Sequence, residues 1–230
     1  MAKKKESTLI NMLIALLVIA AVSGGVLGLV YGVTKDAIAE VDQKKNEAAI
    51  QKVLPLEGEI IYETDTLKYD YEGVGTAFPC TLAKDANGIL QGAAVKTSEG
   101  GFGGKVELMV GITTDGIITG TSVLSHSETP GLGANMTDTT FKNQFNNKKP
   151  GEGFLLEVTK NHEKEPQKVD AITAATITSK AYTKAVDKAY QAFEANKAQY
   201  MNNAPAKEII PETEEIEEVT ETKEGGQSNE

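Results

Sequence analysis

Residues 106–133 read VELMVGITTDGIITGTSVLSHSETPGLG. Two aliphatic, β-branched runs, Lys105–Thr113 and Ile117–Ser125, flank TTDG, whose Asp-Gly pair supplies the turn of a β-hairpin. The hairpin runs into Pro130-Gly131, which fits the two central positions of a type II turn, and Gly133 adds a second flexible point. A turn this tight fixes the backbone, so that Glu128, Thr129 and the Leu132 N–H can be aimed at one target. A carboxylate beside backbone donors suits a hydroxyl-rich ligand.

Working outward, Thr76–Ala83 and Ile89–Lys96 flank DANG, a second hairpin signal. The middle of the chain therefore reads as a curled antiparallel sheet, with TSEGGFGG between the hairpins. Glycines that dense around Phe102 point to a mobile loop or a close backbone approach. Downstream, Asp138 to Phe145 reads as a short helix and Phe154–Thr159 as a strand. From Ile177 to about Tyr200, Ala181, Ala185, Ala189 and Phe193 recur every four residues opposite lysines, the pattern of a helix with one buried face.

Ahead of the sheet, Met12 to Val33 is a run of 22 uncharged residues. At about 1.5 Å per residue it can cross a hydrocarbon core about 30 Å thick. Lys3, Lys4 and Lys5 precede it, and the positive-inside tendency keeps them cytoplasmic. A single-pass anchor with an extracytoplasmic domain is the expectation. After the span, KDAIAEVDQKKNEAAIQKVLP suits a surface helix that ends before Pro55 and links membrane to domain.

The formal charge of −10 is uneven, since Lys207 to Glu230 holds nine Glu against two Lys. That acidic end lacks the apolar content for a core and reads as a disordered tail. No concentrated basic patch exists, which excludes nucleic acid as a partner. All 23 basic residues are lysine, so an anion has to be met by lysine, hydroxyls or backbone N–H groups rather than a bidentate guanidinium. The single cysteine, Cys80, rules out disulfides and thiolate clusters within the chain and reads as a buried small hydrophobe. Any redox role requires an organic cofactor. His126, with no nearby partner for a metal, reads as structural.

A second stretch, DAITAATITSK (residues 170–180), gathers Thr173, Thr176, Thr178 and Ser179 where the chain enters its last helix. The first four N–H groups of a helix lack internal partners and lie at the positive end of its dipole, so this end stabilises a phosphate. Ala174 and Ala175 allow close approach. Composition alone leaves simple helix capping open as the alternative.

Taken together, the hairpin, HSETPGLG, about forty residues and DAITAATITS before a helix resemble the FMN-binding domain found in the G subunit of Rnf electron-transport complexes. The sister family is the C subunit of the sodium-pumping NADH:quinone oxidoreductase. The resemblance covers roughly residues 1 to 200. It implies an α+β chain: residues 1–8 cytoplasmic, 9–33 transmembrane, 34–54 a linker helix, 55–200 the FMN-binding domain and 201–230 the tail. In the family, an attachment pattern of Asp, two variable residues, Ser or Thr, a small residue, Ala and Thr ends on the threonine that carries FMN through a phosphoester. Asp170, Thr173, Ala174, Ala175 and Thr176 occupy it here, which implies covalent FMN on Thr176. Position 174 is usually glycine. By resemblance, Glu128, Thr129, Gly131, Leu132 and Gly133 line the flavin site, and Thr178 and Ser179 supply hydrogen bonds at the helix start. The resemblance further implies an inner (cytoplasmic) membrane location and an ApbE-type flavin transferase that uses Mg²⁺ outside the cytoplasm. Other membrane and iron–sulfur subunits would be partners in moving electrons between ferredoxin and NAD⁺, coupled to Na⁺ or H⁺. The protein then carries no acid–base catalytic centre of its own. Two alternatives remain at this point: the C subunit of the quinone reductase, and a membrane-anchored scaffold that keeps the fold without flavin.

Overall fold

The computed structural model describes residues 9–150, 156–160 and 167–202. Lys3–Lys5, Phe154 and nearly all of the expected acidic tail lie outside them. The chain is α+β, with a long apolar helix, an antiparallel sheet and flanking helices, in the order α1 (Leu9–Val53), β1 (Ile61–Tyr71), β2 (Val74–Lys84), β3 (Leu90–Gly100), β4 (Lys105–Thr113), β5 (Ile118–Ser125), a 3₁₀ turn (Gly133–Thr137), α2 (Thr139–Lys142), β6 (Glu157–Thr159), β7 (Lys168–Asp170) and α3 (Thr176–Asn202).

The span and the surface helix, expected as two elements, form one helix of 45 residues. No glycine or proline occurs between Val33 and Leu54, so nothing interrupts the backbone ladder. Glu40 and Lys44 add an i,i+4 ion pair at 2.7 Å. Its apolar window is wholly exposed within the protein and is long enough to cross a membrane. Pro55 ends it, as the sequence implies.

Strands β1 to β5 form a meander in which every strand pairs antiparallel with its sequence neighbour. Both hairpin turns form as expected. Gly88 donates to the Asp85 carbonyl and Gly116 to the Thr113 carbonyl, each at 2.9 Å. Register shifts in β2–β3 and β4–β5 mark where the sheet departs from a flat ladder.

Strand β1 has no counterpart among the sequence expectations. This edge strand exposes most of its side chains and buries only Leu67 and Tyr71, so it carries little apolar signal. Its turn is also cryptic: Glu72 and Gly73 both adopt positive φ, 53° and 81°, the mark of a two-residue type I′ hairpin usually written with Asn or Asp. The expected helix at Asp138 to Phe145 contracts to the single turn of α2. The expected strand ends as the three residues of β6, which pair in parallel with an unanticipated β7.

Helix α3 crosses one face of the sheet. Its four-residue repeat buries Ala181, Ala185, Ala189 and Phe193, joined by Tyr182, Val186 and Tyr190, against Leu82, Val95, Leu108, Val110 and Ile112. Each large side chain removed from water contributes about 1.5–3 kcal/mol. Two polar bonds set its register: Tyr182 donates to Thr121 Oγ1 at 2.7 Å, and Thr97 donates to the Ala185 carbonyl at 3.1 Å. Cys80 is buried in this core, and burial pushes its thiol up to about 11. A second cluster lies around Val53, Leu54, Ala83, Ala94 and Met109.

Candidate functional site

Three segments meet at the N-terminal end of α3: the glycine loop after β3, the turn after β5 and the approach to α3. Pro130-Gly131 forms the expected type II turn. Leu132 N–H donates to the Thr129 carbonyl at 3.2 Å, and Gly131 has φ of 75°. The Leu132 N–H is thereby consumed by the turn; its side chain, not its amide, faces the site.

The approach to α3 makes a second turn of the same kind. Ala175 N–H donates to the Ile172 carbonyl at 3.0 Å, and Ala174 at the third position has φ of 60°. Type II geometry requires positive φ there, which favours glycine; an L-residue in this conformation costs about 1–2 kcal/mol. Ala174→Gly removes that cost and raises unfolded-chain entropy by less, so it is expected to stabilise the domain by about 0.5–1 kcal/mol, read as a higher denaturation midpoint. Ser179 locks this turn. Its hydroxyl accepts from Ile172 N–H and donates to the Ala175 carbonyl, both at 2.9 Å.

Glu128 is the brace between the three segments. It is 6% exposed, and its carboxylate accepts from Gly103 N–H at 2.9 Å and from the Thr178 hydroxyl at 2.6 Å. Gly133 is tight against the same pair: a Cβ there would overlap the carboxylate and lie 2.7 Å from Thr178 Oγ1. Glu128, Thr178 and Ser179, expected as ligand contacts, make these hydrogen bonds between segments of the chain, and Glu128 and Thr178 also line the adjoining cavity. His126 is structural, its Nδ1 accepting the Glu128 N–H at 3.2 Å.

Two cavities open at this junction. One of about 350 Å³ is lined by Phe102, Glu128, Thr129, Leu132, Gly133 and residues 174–178. Its rim is the exposed apolar set Phe102, Leu132 and Ile177. A second of about 350 Å³ is lined by Lys160 and Asp170 through Thr173, Ala174 and Thr176. Asp170 is held there from behind, its N–H bonded to Gln144 Oε1 at 2.7 Å and its carbonyl to Gln144 Nε2 at 3.3 Å. Below it, burial holds the Lys148 ammonium under the usual lysine range, opposed by Asp170.

Thr176 and Ala174 line both cavities. Thr176 opens α3, where Ala175 in the capping position has no side chain to satisfy the first N–H groups. Phe102, Ile177 and Lys160 were not anticipated as site residues. A lone aromatic among glycines was a visible signal for Phe102. Lys160 had none, because the β6–β7 pairing alone brings it beside residue 170.

The residues present fit a flavin nucleotide. The apolar cavity lies within the ~300–1,000 Å³ of small-molecule sites and offers alkyl and aromatic faces to a planar ring, while the open helix end and Lys160 suit a phosphate. Residues 101–191 match the FMN-binding domain family, so fold and site together define a flavin-binding protein. The chain is 36% identical over 187 residues to the G subunit of the Na⁺-translocating ferredoxin:NAD⁺ oxidoreductase complex of Acetobacterium woodii, covering 78% of this chain and 88% of that one. It is 31% identical over 198 residues to the G subunit of the ion-translocating oxidoreductase complex of Methanosarcina acetivorans, covering 82% and 95%. The chain belongs to this family of G subunits of ion-translocating oxidoreductase complexes. Its fold is shared with the crystal structure of the C subunit of the Na⁺-translocating NADH-quinone reductase from Parabacteroides distasonis, at a TM-score of 0.51 and 18% identity over 72% of this chain and 96% of that one.

Proposed function

We propose that this chain carries FMN covalently on Thr176 and relays electrons within an ion-translocating ferredoxin:NAD⁺ oxidoreductase complex. The observation that supports this reading is the position of Thr176: a partly exposed hydroxyl, on the first turn of α3, lining both the apolar and the polar cavity. FMN supplies one- and two-electron chemistry; the protein supplies position and electrostatics. Phe102, Leu132 and Ile177 would hold the apolar ring. The N-terminal N–H groups of α3 and Lys160 would offset the phosphate charge.

Attachment requires a transferase of the ApbE type acting on FAD. Thr176 Oγ gains the bond to phosphorus, the pyrophosphate bond to AMP breaks, and the hydroxyl proton leaves with AMP. A covalent link keeps the cofactor at high effective concentration in an exposed domain. In the same reading, residues 9–33 span the cytoplasmic membrane, residues 1–8 remain inside and residues 55–200 form the domain outside, where membrane and iron–sulfur subunits exchange electrons with it.

The test is intact mass of the exported protein made together with a flavin transferase, followed by peptide mapping. A gain of roughly 438 Da, one FMN less one water, on the peptide carrying Thr176 is the expected result. No gain overturns the covalent reading. Lys160 is expected to speed attachment by neutralising charge near the transferred phosphate. Lys160→Gln should slow the gain in mass several-fold and reduce its sensitivity to salt, with Lys160→Arg restoring the rate.

A further inference from the structure

The last turn of α1 is set into the sheet face that α3 leaves open. Val53 and Leu54 are 0% and 1% exposed. The strands beneath them carry glycine at each point of closest approach: Gly92 on β3, Gly111 on β4 and Gly120 on β5. A Cβ on Gly111 would overlap the Val53 carbonyl. On Gly120 it would lie 3.3 Å from Val53 Cα, and on Gly92 3.2 Å from Leu54 Cδ1 but only 2.5 Å from the Ile112 carbonyl of β4. Gly111 and Gly120 are cross-strand partners, so the gap runs continuously from one strand to the next.

None of these three glycines adopts the positive φ that only glycine accepts readily. Their role is space. Within the gap, the Thr119 hydroxyl donates to the Val53 carbonyl, one of the last acceptors that a helix end leaves without an intrahelical partner. Ala49, Ile50, Leu56, Ile60 and Met109 complete the apolar seal. Outside it, α1 continues unbroken back to Leu9, and residues 34–48 form a largely exposed stalk of roughly 22 Å at 1.5 Å per residue.

We infer that α1 is clamped to the flavin-binding domain rather than tethered to it, so that this helix sets both the height of the domain above the membrane and the direction its cavity faces. Gly111, Thr119 and Gly120 are positioning residues that act through Val53; none lines either cavity. A clamped stalk removes the swing that a flexible linker would allow. Redox partners then meet the cavity mouth at one fixed place, and changes of distance between centres have to come from the partner's side. The inference rests on α1 being the membrane anchor and is independent of how flavin is attached.

The test is dipolar EPR on the full chain in lipid nanodiscs, with spin labels on Lys45→Cys in the stalk and Asp115→Cys in the β4–β5 turn. Both sites are exposed, whereas Cys80 at 3% exposure stays unlabelled. A single narrow distance distribution is expected in the parent. Gly111→Ala, which fills the gap from the sheet, and Leu54→Ser, which weakens the seal from the stalk, should each broaden it at least twofold while cavity-bound flavin is retained. Leu54→Ser leaves the sheet unchanged and carries the test if Gly111→Ala does not accumulate. A parent distribution already as broad as that of the variants, or a narrow one that neither substitution widens, overturns the inference.

Discussion

On the proposed linkage, Thr176→Ala is expected to lose the covalent flavin: made together with a transferase, the variant should show the mass of the bare polypeptide, against an expected gain of roughly 438 Da in the parent. The effect is all or none, because the ester oxygen belongs to the threonine itself. Folding should survive. Thr176 is only partly buried, and its loss is expected to shift stability by no more than about 0.5 kcal/mol. Thr176→Ser restores the hydroxyl and should restore modification. The neighbouring hydroxyls make the experiment discriminating. Thr178 is 1% exposed and already donates to Glu128, so it is poorly placed to attack phosphorus. Thr173 is exposed and lines only the polar cavity. Flavin that persists on denatured Thr176→Ala protein would move the attachment to one of these two and sink the assignment.

Glu128→Ala is expected to be the most damaging substitution for the architecture of the site. It leaves the Gly103 N–H and the buried Thr178 hydroxyl without their acceptor and detaches both the glycine loop and α3 from the Pro130-Gly131 turn. Hydrogen bonds to a charged acceptor contribute about 1.5–3 kcal/mol each, and partial rehydration returns some of that, so a loss of about 2–4 kcal/mol follows. For a domain of this size the thermal midpoint should fall by about 5–12 °C. Glu128→Gln keeps one acceptor oxygen and should lose about half as much. Calorimetry or circular dichroism on the detergent-solubilised protein reads both values. A midpoint within about 1 °C of the parent in Glu128→Ala would show that the carboxylate is not the brace its geometry describes.

These two residues separate what is local from what is not. The turns at DANG, TTDG and Pro130-Gly131 were legible because a turn is decided by a few consecutive residues, and each forms as expected. The buried stripe of α3 was legible for the same reason: helical period and burial are both written in spacing. Strand β1 was not, since Glu72 occupies a positive-φ position without the usual residue signal and the strand borrows its order from β2. The role of Glu128 could not be read either. Its partners lie 25 residues earlier and 50 residues later, and nothing in HSETPGLG says whether a carboxylate will face a ligand or another part of the chain.

By itself, then, the sequence determined the membrane-length apolar helix, the antiparallel class of the sheet, the final amphipathic helix and the family motif around Thr176, because each depends on composition or on spacing within one segment. Tertiary structure alone decided the rest. It set the end of α1 into the sheet, because only the assembled strands form the glycine gap that receives Val53. It showed Ala174 in the left-handed conformation that its type II turn demands. It also brought Phe102, Lys160 and Thr176 together across two cavities. These are contacts between segments far apart in the chain, and their energies appear only once the segments have met.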